Sequence, residues 1–305
     1  MLLARSLLIT SLLTLAPGAA GQGQPPSAAP VHSQMRNVFY HYTDRIAVRI
    51  FWLDGKVLPT HESAVVVFDD PKSFFIAIQS AKITIAAKTL SETMNDHAFA
   101  ANDAPLKKIE VTPEAQTLKV TGKLHSKGDV PFETESTISA TPDGKIRMHC
   151  EKVRAAHLPV KVVMDLLGLD IAKLIDTRKV RGVQTEGDDL ILDPEEILPL
   201  PRIQGKVSAV QIAGDQLVLV FGEGRPETPL RTGNFMSYRG GELRFGKLTM
   251  GNSDMDLVDL DPSNPFDFFL DHYREQLSAG YTKITRQFGL RVYMRDYNQL
   301  HAGGH

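Results

Sequence analysis

The chain has 305 residues, of which 42% are hydrophobic and 23% are charged, a composition that is typical of globular proteins and excludes wholesale disorder. Lys and Arg together number 34 against 36 Asp and Glu, a net charge of -2. No overall positive field would attract a phosphate backbone, so we expect no nucleic acid partner. The single cysteine excludes an internal disulfide framework and a cysteine-rich zinc site.

Residues 1–20 have the pattern of a secretory signal peptide. Arg5 precedes an apolar stretch from Leu7 to Leu15, and small residues follow Pro17. The stretch is too short to span a bilayer, and no cysteine marks a lipoprotein cleavage point. We therefore expect a secreted or periplasmic protein, the alternative being a retained N-terminal anchor. The Pro-, Gln- and Ser-rich residues 21–35 are predicted to form a disordered linker.

From about Val38 the dominant hydrophobic period is two, with frequent turn signals, which predicts a mostly β chain with antiparallel sheet. Apolar residues alternate over 46–50, and Asp54-Gly55 is expected to form a hairpin turn before residues 56–58. Two further strands, at 64–68 and 76–85, and a short helix capped by Thr89 are predicted next.

An antiparallel meander is predicted between residues 106 and 153. Its four strand candidates are separated by turn signals and span 106–111, 117–124, 130–139 and 145–153. Apolar residues share one parity and charged residues the other, so one face is expected to be apolar and the opposite face to meet water. Cys150 has the apolar parity, which favours a small buried side chain over a nucleophile.

The second half of the chain is predicted to contain both helices and strands. Helical spacing predicts a helix over 160–175 that crosses the sheet, and Asp193-Pro194 predicts a short capped helical turn. A hairpin is predicted around Gly214-Asp215. The remaining predicted elements are strands at 180–183, 190–192, 202–212, 216–221, 234–238, 242–250 and 254–260 and a final helix over 266–281.

These patterns divide the chain into four parts. After the signal peptide and the linker come a curved-sheet domain at 36–222 and C-terminal strands plus a helix at 223–305. The loop at 222–229 is the best internal boundary, although the last part is also compatible with membership of the same domain.

No catalytic or cofactor motif is recognisable. The histidines lack metal-ligand spacing, and neither a G-x-S-x-G elbow nor a phosphate-binding glycine loop is present. The acidic residues Asp254, Asp256, Asp259 and Asp261 lack the spacing of a calcium loop and are expected to form a solvated strand edge. We therefore expect no cofactor, no metal and no enzyme activity, with a hydrolase assembled from distant residues as the third alternative.

A family resemblance is carried by the order of short segments between Ala64 and Phe221. These segments are Leu106-Lys107-Lys108-Ile109, Leu118-Lys119-Val120-Thr121-Gly122, Val130-Pro131-Phe132-Glu133, Asp143-Gly144-Lys145-Ile146, Leu158-Pro159-Val160, Leu190-Ile191-Leu192-Asp193-Pro194, Leu198-Pro199, Val207-Ser208-Ala209-Val210 and Leu217-Val218-Leu219-Val220-Phe221. Their order resembles that of the bacterial secreted proteins of the tubular lipid-binding (TULIP-like) group, especially the phospholipid-binding branch first catalogued as a domain of unknown function. Residues 36–60 and 230–300 lie outside the pattern.

The resemblance implies an α+β fold in which a long, strongly bent antiparallel sheet wraps around one or two helices and encloses an apolar cavity for acyl chains. It implies no catalytic residues. The expected partner is a lipid or another hydrophobic small molecule, and transient membrane-surface contact is a further expectation. The alternative is an envelope structural or protein-interaction module in which the same apolar faces fill a solid core.

The residues expected to line the cavity are chosen by their inward parity. They are Leu118, Val120, Leu124, Phe132, Ile138, Ile146, Met148, Val163, Leu166, Leu167, Leu217 and Leu219.

Overall fold

The structure is a computed structural model that describes residues 29–61, 65–125, 129–155, 158–159, 175–178, 180–227 and 229–301. The predicted signal peptide and all but the last residue of the helix predicted over 160–175 lie outside the described residues.

Strands dominate the described chain. In chain order they are β1 (Val31–His41), β2 (Ala47–Pro59), β3 (Val66–Val67), β4 (Phe74–Ala86), β5 (Leu106–Glu114), β6 (Thr117–His125), β7 (Asp129–Ala140), β8 (Ile146–Ala155), β9 (Leu158–Pro159), β10 (Val183–Glu186), β11 (Asp189–Leu192), β12 (Arg202–Gln204), β13 (Val207–Ala213), β14 (Gln216–Phe221), β15 (Phe235–Gly240), β16 (Leu243–Phe245), β17 (Leu248–Met250), β18 (Ser253–Asp259), β19 (Phe266–Phe269), β20 (Tyr281–Ile284) and β21 (Leu290–Met294). The helices are α1 (Ala87–Thr93), α2 (Pro194–Ile197), α3 (Tyr273–Ser278) and α4 (Tyr297–His301), with a π-helical turn (Met94–Ala98) continuing α1 and a 3-10 turn (Leu270–His272) preceding α3.

The large sheet has eleven strands. Its main path runs β13-β14-β4-β2-β1-β15-β18-β21-β20, and β12 and β19 add to β4 and β1 in parallel. Most neighbours are antiparallel, and β2 pairs with β4 along almost its whole length. A small sheet of three strands, β17-β16-β3, lies beside it. The fold is mostly β within the α+β class, as the hydrophobic period predicts.

The second sheet, called here the meander sheet, has seven strands in the order β10-β11-β8-β7-β6-β5, with β9 beside β8. Strands β5 to β8 pair antiparallel in succession, so the predicted meander is confirmed. Leu118 and Val120 are buried on one face. On the other face, Glu133 bridges Lys119 of β6 at 3.0 Å and Arg154 of β8 at 3.2 Å. Such cross-strand ion pairs suit a face that meets water.

The predicted turn at Asp54-Gly55 is wrong, because β2 continues through both residues. The pairing of β2 with β4 shifts register between these two positions. A Cβ atom on Gly55 would lie 2.5 Å from the carbonyl oxygen of Ala77. Glycine is therefore required here for close approach of two backbones, and not for a turn.

The prediction of a single helix over 266–281 is also wrong. Phe266–Phe269 forms β19, which pairs in parallel with β1 and is buried at every position. Only Tyr273–Ser278 is α-helical, and β20 begins at Tyr281. Apolar residues three or four apart fit a helix, but they fit equally well a fully buried strand followed by a short helix.

The start of the first strand differs from the prediction, and the large sheet extends across the boundary predicted at residue 222. Strand β1 starts at Val31, within the predicted linker, because Val31, Ser33 and Met35 alternate inward in a strand between β2 and β15. In addition, β15, β18 and β21 belong to the same large sheet as β1 and β2. The sequence on both sides of residue 222 therefore contributes to one sheet.

The expectation of a solvated acidic strand edge at β18 is wrong for Asp256 and Asp259, which are 0% and 6% exposed. Strand β18 is not an edge, because it pairs with β15 on one side and with β21 on the other. Arg239 of β15 and Arg291 of β21 contact the Asp256 carboxylate at 2.6 and 2.8 Å, and Arg231 contacts it at 2.8 Å. Buried carboxylates need such charged partners to offset the loss of hydration.

Candidate functional site

An apolar cavity lies between the inner face of the meander sheet and the helix α1 with its π-helical turn. Its volume is about 80 Å³. The described residues that line it are Leu90, Met94, Leu106, Ile109, Val111, Leu118, Val120, Leu124, Phe132, Thr134, Ile138, Met148, Cys150, Val153, Ile175, Leu190 and Leu192.

The alternation of the strands places these side chains on one face. Val120 of β6 stands opposite Val111 of β5 and Thr134 of β7, and all three line the cavity. The pairing of β7 with β8 shifts by one residue at Glu135 and Ser136. Because of this bulge, the inward positions on β8 change from even to odd numbers, and Val153 faces the cavity in place of Lys152.

Side chains of α1 and of its π-helical turn form hydrogen bonds with β5, the edge strand of the meander sheet. Ser91 Oγ accepts a hydrogen bond from the backbone N–H of Val111 at 2.9 Å. Asn95 accepts from the N–H of Ile109 at 2.9 Å and donates to its carbonyl oxygen at 2.7 Å. These side chains satisfy backbone groups of β5 that a further strand would otherwise pair with. Leu90 and Met94, one turn apart on the same helix, reach the cavity.

No acidic or basic side chain is among the described lining residues. Thr134 Oγ1 lies 3.4 Å from Ser136 Oγ, which donates to Cys150 Sγ at 3.5 Å. The few polar atoms near the cavity are thus engaged with each other. A site of this kind can bind an apolar ligand, but none of its described residues carries a charge that could bind a polar group of the ligand.

Exposure changes along the cavity. Leu118 and Cys150 are each 1% exposed. Leu124, Phe132, Ile138, Val153 and Ile175 are only partly buried. Leu124, Phe132 and Val153 lie on the neighbouring strands β6, β7 and β8, and this part of the lining is called the mouth below.

The structure places the predicted lining residues in three different environments. Leu118, Val120, Leu124, Phe132, Ile138 and Met148 line the cavity. Ile146 is buried in the core outside the lining, and Leu217 and Leu219 lie on β14 of the large sheet. Val163, Leu166 and Leu167 lie outside the described residues. That any of these side chains contacts a ligand stays a prediction.

Several lining residues were not among those predicted. Leu106 and Val111 of β5, and Leu190 and Leu192 of β11, line the cavity. Strand parity was a usable signal for Leu190 and Leu192, which lie on one side of a predicted strand. Leu106 and Val111 differ in parity and share a face because the register of β5 shifts between Lys107 and Glu110. Val153 carried no such signal, because it depends on a bulge that the hydrophobic pattern does not reveal.

Histidines pair with carboxylates at several places outside the cavity. His41 Nε2 lies 2.6 Å from Asp267 Oδ1, and His149 Nδ1 lies 2.6 Å from Asp189 Oδ1. Within the described ranges, no hydrogen bond joins either histidine to a serine or threonine hydroxyl. The same part of the chain holds no group of three His, Cys, Asp or Glu side chains placed to bind a metal ion. Its helices include none with the length and apolar character needed to cross a bilayer.

Comparison with known proteins found no matching family model, curated protein or solved structure. The resemblance to TULIP-like proteins accordingly stays a hypothesis.

Proposed function

We propose that this protein is a secreted or periplasmic, non-enzymatic carrier that binds a lipid or another hydrophobic molecule in the cavity of the meander sheet. The observation that carries the proposal is the lining, which is apolar on the sheet side and on the helix side and has no charged member among its described residues. The signal pattern of residues 1–20 supports the compartment.

The small volume of the cavity favours a flexible ligand. Its volume of about 80 Å³ lies below the range of about 300–1,000 Å³ found for ligand sites, so a ligand must displace lining side chains as it enters. A flexible, unbranched acyl chain requires less displacement than a rigid fused ring does. Each methylene that leaves water contributes about 0.8 kcal/mol, so a chain of moderate length needs no polar anchor inside.

We further propose that the meander sheet bends around its helical wall, as the resemblance implies. Register shifts occur between Lys107 and Glu110 on β5 and between Glu135 and Ser136 on β7. Bulges of this type bend strands and increase their twist. The attachment of α1 through Ser91 and Asn95 holds the helix against the concave side.

Native mass spectrometry of the protein purified under mild conditions is the first test. A carrier is expected to retain a lipid adduct that disappears on denaturation. A polypeptide mass alone, together with no uptake of the fluorescent fatty acid parinaric acid by the lipid-free protein, would instead favour the module with a filled core. The small volume of the cavity, about 80 Å³, is the observation that favours this second candidate.

A matched pair of variants locates the binding site. Leu124 at the mouth and Ile212 on β13 are both partly buried apolar residues, but only Leu124 lines the cavity. A carboxylate in the cavity must be desolvated beside the ligand, so L124D is expected to weaken parinaric acid binding by at least about tenfold. I212D is the control and should bind as the unmodified protein does. Equal loss of binding in the two variants would contradict the assignment of the site.

A further inference from the structure

The hairpin formed by β20 and β21 presents an apolar tip to solvent. Ile284 pairs with Leu290 as the last pair of the ladder, and the turn between them is closed by hydrogen bonds. The N–H of Thr285 donates to the carbonyl oxygen of Gly289 at 2.7 Å, and the N–H of Gly289 donates to Thr285 Oγ1 at 2.8 Å. These hydrogen bonds order the turn and hold Phe288 in a defined position.

Phe288 is unfavourable in this position for two independent reasons. Its side chain is 92% exposed, the most exposed of the large hydrophobic residues described, and Ile284 is 73% exposed beside it. Its backbone has φ +62°, a left-handed conformation that bulky residues rarely adopt and that asparagine or glycine tolerates. Neither cost is offset by packing within the described chain. A strained, exposed aromatic residue is the kind of outlier that points to a role in binding.

The surroundings of the tip are positively charged. Residues 280–295 contain Lys283, Arg286, Arg291 and Arg295 and no Asp or Glu, whereas the whole chain has a net charge of -2. Lys283 and Arg286 are exposed, and among the described residues neither forms an ion pair. The nearby carboxylate of Asp254 is already held by Arg239 at 3.2 Å and Arg291 at 3.1 Å. Lys283 Nζ lies over the rings of Tyr281 and Tyr293, 5.2 and 5.5 Å from their centroids, so no carboxylate neutralises it and the charge at the tip is cationic.

We propose that this tip, defined as Lys283, Ile284, Arg286 and Phe288, docks the protein onto the surface of an anionic lipid bilayer. Phe288 and Ile284 would enter the boundary between headgroups and acyl chains, where aromatic side chains are favoured. Lys283 and Arg286 would contact the phosphates of the headgroups. The proposal does not depend on what the cavity of the meander sheet holds.

The size of the tip favours a bilayer over a protein partner. A stable protein interface buries roughly 800 Å² on each side, which is more than two apolar side chains on a narrow turn can supply. A bilayer instead accepts a small protruding wedge together with basic residues around it. The competing occupant is a second copy of this chain, paired through the edge strand β20.

Cosedimentation with vesicles tests the proposal. The intact protein should bind vesicles of phosphatidylcholine mixed with phosphatidylglycerol more strongly than vesicles of phosphatidylcholine alone, and added salt should weaken the binding. F288N removes the aromatic ring while relieving the left-handed strain, so it should bind at least about tenfold more weakly without a loss of thermal stability. L248A is the control, because Leu248 is also exposed, at 46%, but lies on β17.

A charge variant and a spectroscopic variant complete the test. R286E should weaken binding to the anionic vesicles by about tenfold or more, since two charge units change near the surface. F288W should show a blue-shifted emission of the added indole on these vesicles but not on phosphatidylcholine alone. Binding of parinaric acid should be unchanged in F288N, which separates this proposal from the proposed function.

Three outcomes would overturn the inference. The first is no binding of the intact protein to anionic vesicles. The second is equal binding by the intact protein and F288N. The third is a dimer in solution that F288N converts to a monomer, which would assign the tip to self-association.

Discussion

Asp296 is a buried carboxyl group placed among other carboxyl groups. It is 1% exposed, and its Oδ1 accepts a hydrogen bond from the N–H of Asp267 at 2.8 Å. Burial, with added repulsion from Asp259, Asp267 and Asp261, raises the pKa of Asp296 to about 7. Burial also raises the pKa of Asp259. His41 Nε2 lies 2.6 Å from Asp267 Oδ1 in the same cluster.

The raised pKa of Asp296 makes stability depend on pH. Below about pH 4, both the folded and the unfolded chain are protonated at this group. Between about pH 4 and pH 7, only the folded chain keeps the proton, so the free energy of unfolding falls as pH rises, and above pH 7 the loss is complete. D296N is neutral at every pH and its side-chain oxygen can still accept from Asp267.

We therefore expect D296N to be as stable as the original protein near pH 4 and about 1–4 kcal/mol more stable near pH 8. Urea unfolding at several pH values measures the difference. D215N, in the exposed turn before β14, is the control and should not change the pH profile. A D296N variant that is less stable by the same amount at all pH values would show that Asp296 does not titrate with a raised pKa and that the amide itself is tolerated poorly at this position.

At the residue scale, parity was the most useful property of the sequence. It assigned Leu118, Val120 and Met148 to the face that the structure lines with apolar side chains. It failed for Asp256, because the hydrophobic pattern does not show that three arginines from distant positions converge on one carboxylate. It also failed for Val153, which follows a bulge.

At the scale of elements, the close pairing of β2 with β4 depends on Gly55. A Cβ atom there would lie 2.5 Å from the carbonyl oxygen of Ala77, so one of the two strands must move. We expect G55A to lower the free energy of unfolding by about 1–3 kcal/mol, measured by urea denaturation. G251A is the control, because no atom lies within 4 Å of the corresponding Cβ position, and it should change stability by less than about 0.5 kcal/mol. Equal effects would refute the role of backbone proximity.

Local signals were sufficient for elements that pair with their neighbours in sequence. The meander β5 to β8 and the hairpin of β13 and β14 follow from alternation and turn residues. The short helix α2 follows from Asp193, whose side chain accepts from the N–H of Glu195 at 3.0 Å. The region 266–281 could not be assigned correctly, because β19 is specified by its pairing with β1 and not by its own period.

At the scale of the whole molecule, the two ends of the described chain meet in one sheet. Strand β1 pairs with β2 on one side and with β15 on the other, while β19 joins it in parallel. Such long-range pairing leaves no local trace in the sequence, so the boundary predicted at residue 222 could not anticipate it. The apolar cavity could be anticipated only as an apolar face, since its width depends on how closely α1 approaches the sheet.

A truncated chain tests whether residues 223–305 are needed for the rest of the chain to fold. A protein that ends at residue 222 lacks β15 to β21 and leaves one edge of β1 open. We expect it to lose the cooperative thermal transition of the full chain or to aggregate, because buried residues of β1 such as Met35 and Val38 lose their cover. Differential scanning calorimetry of both proteins measures this. A truncated protein with an unchanged transition would establish residues 223–305 as a separate unit.

The central position of β1 has a consequence for biogenesis. Synthesis proceeds from the N-terminus, so β1 and β2 emerge long before residues 235–240 and 266–269, which complete the pairing of β1. During that interval β1, whose inward face carries apolar residues such as Met35 and Val38, has free backbone donors and acceptors, and its contacts span most of the chain. The incomplete chain is therefore open to intermolecular pairing along β1 until the last strands arrive.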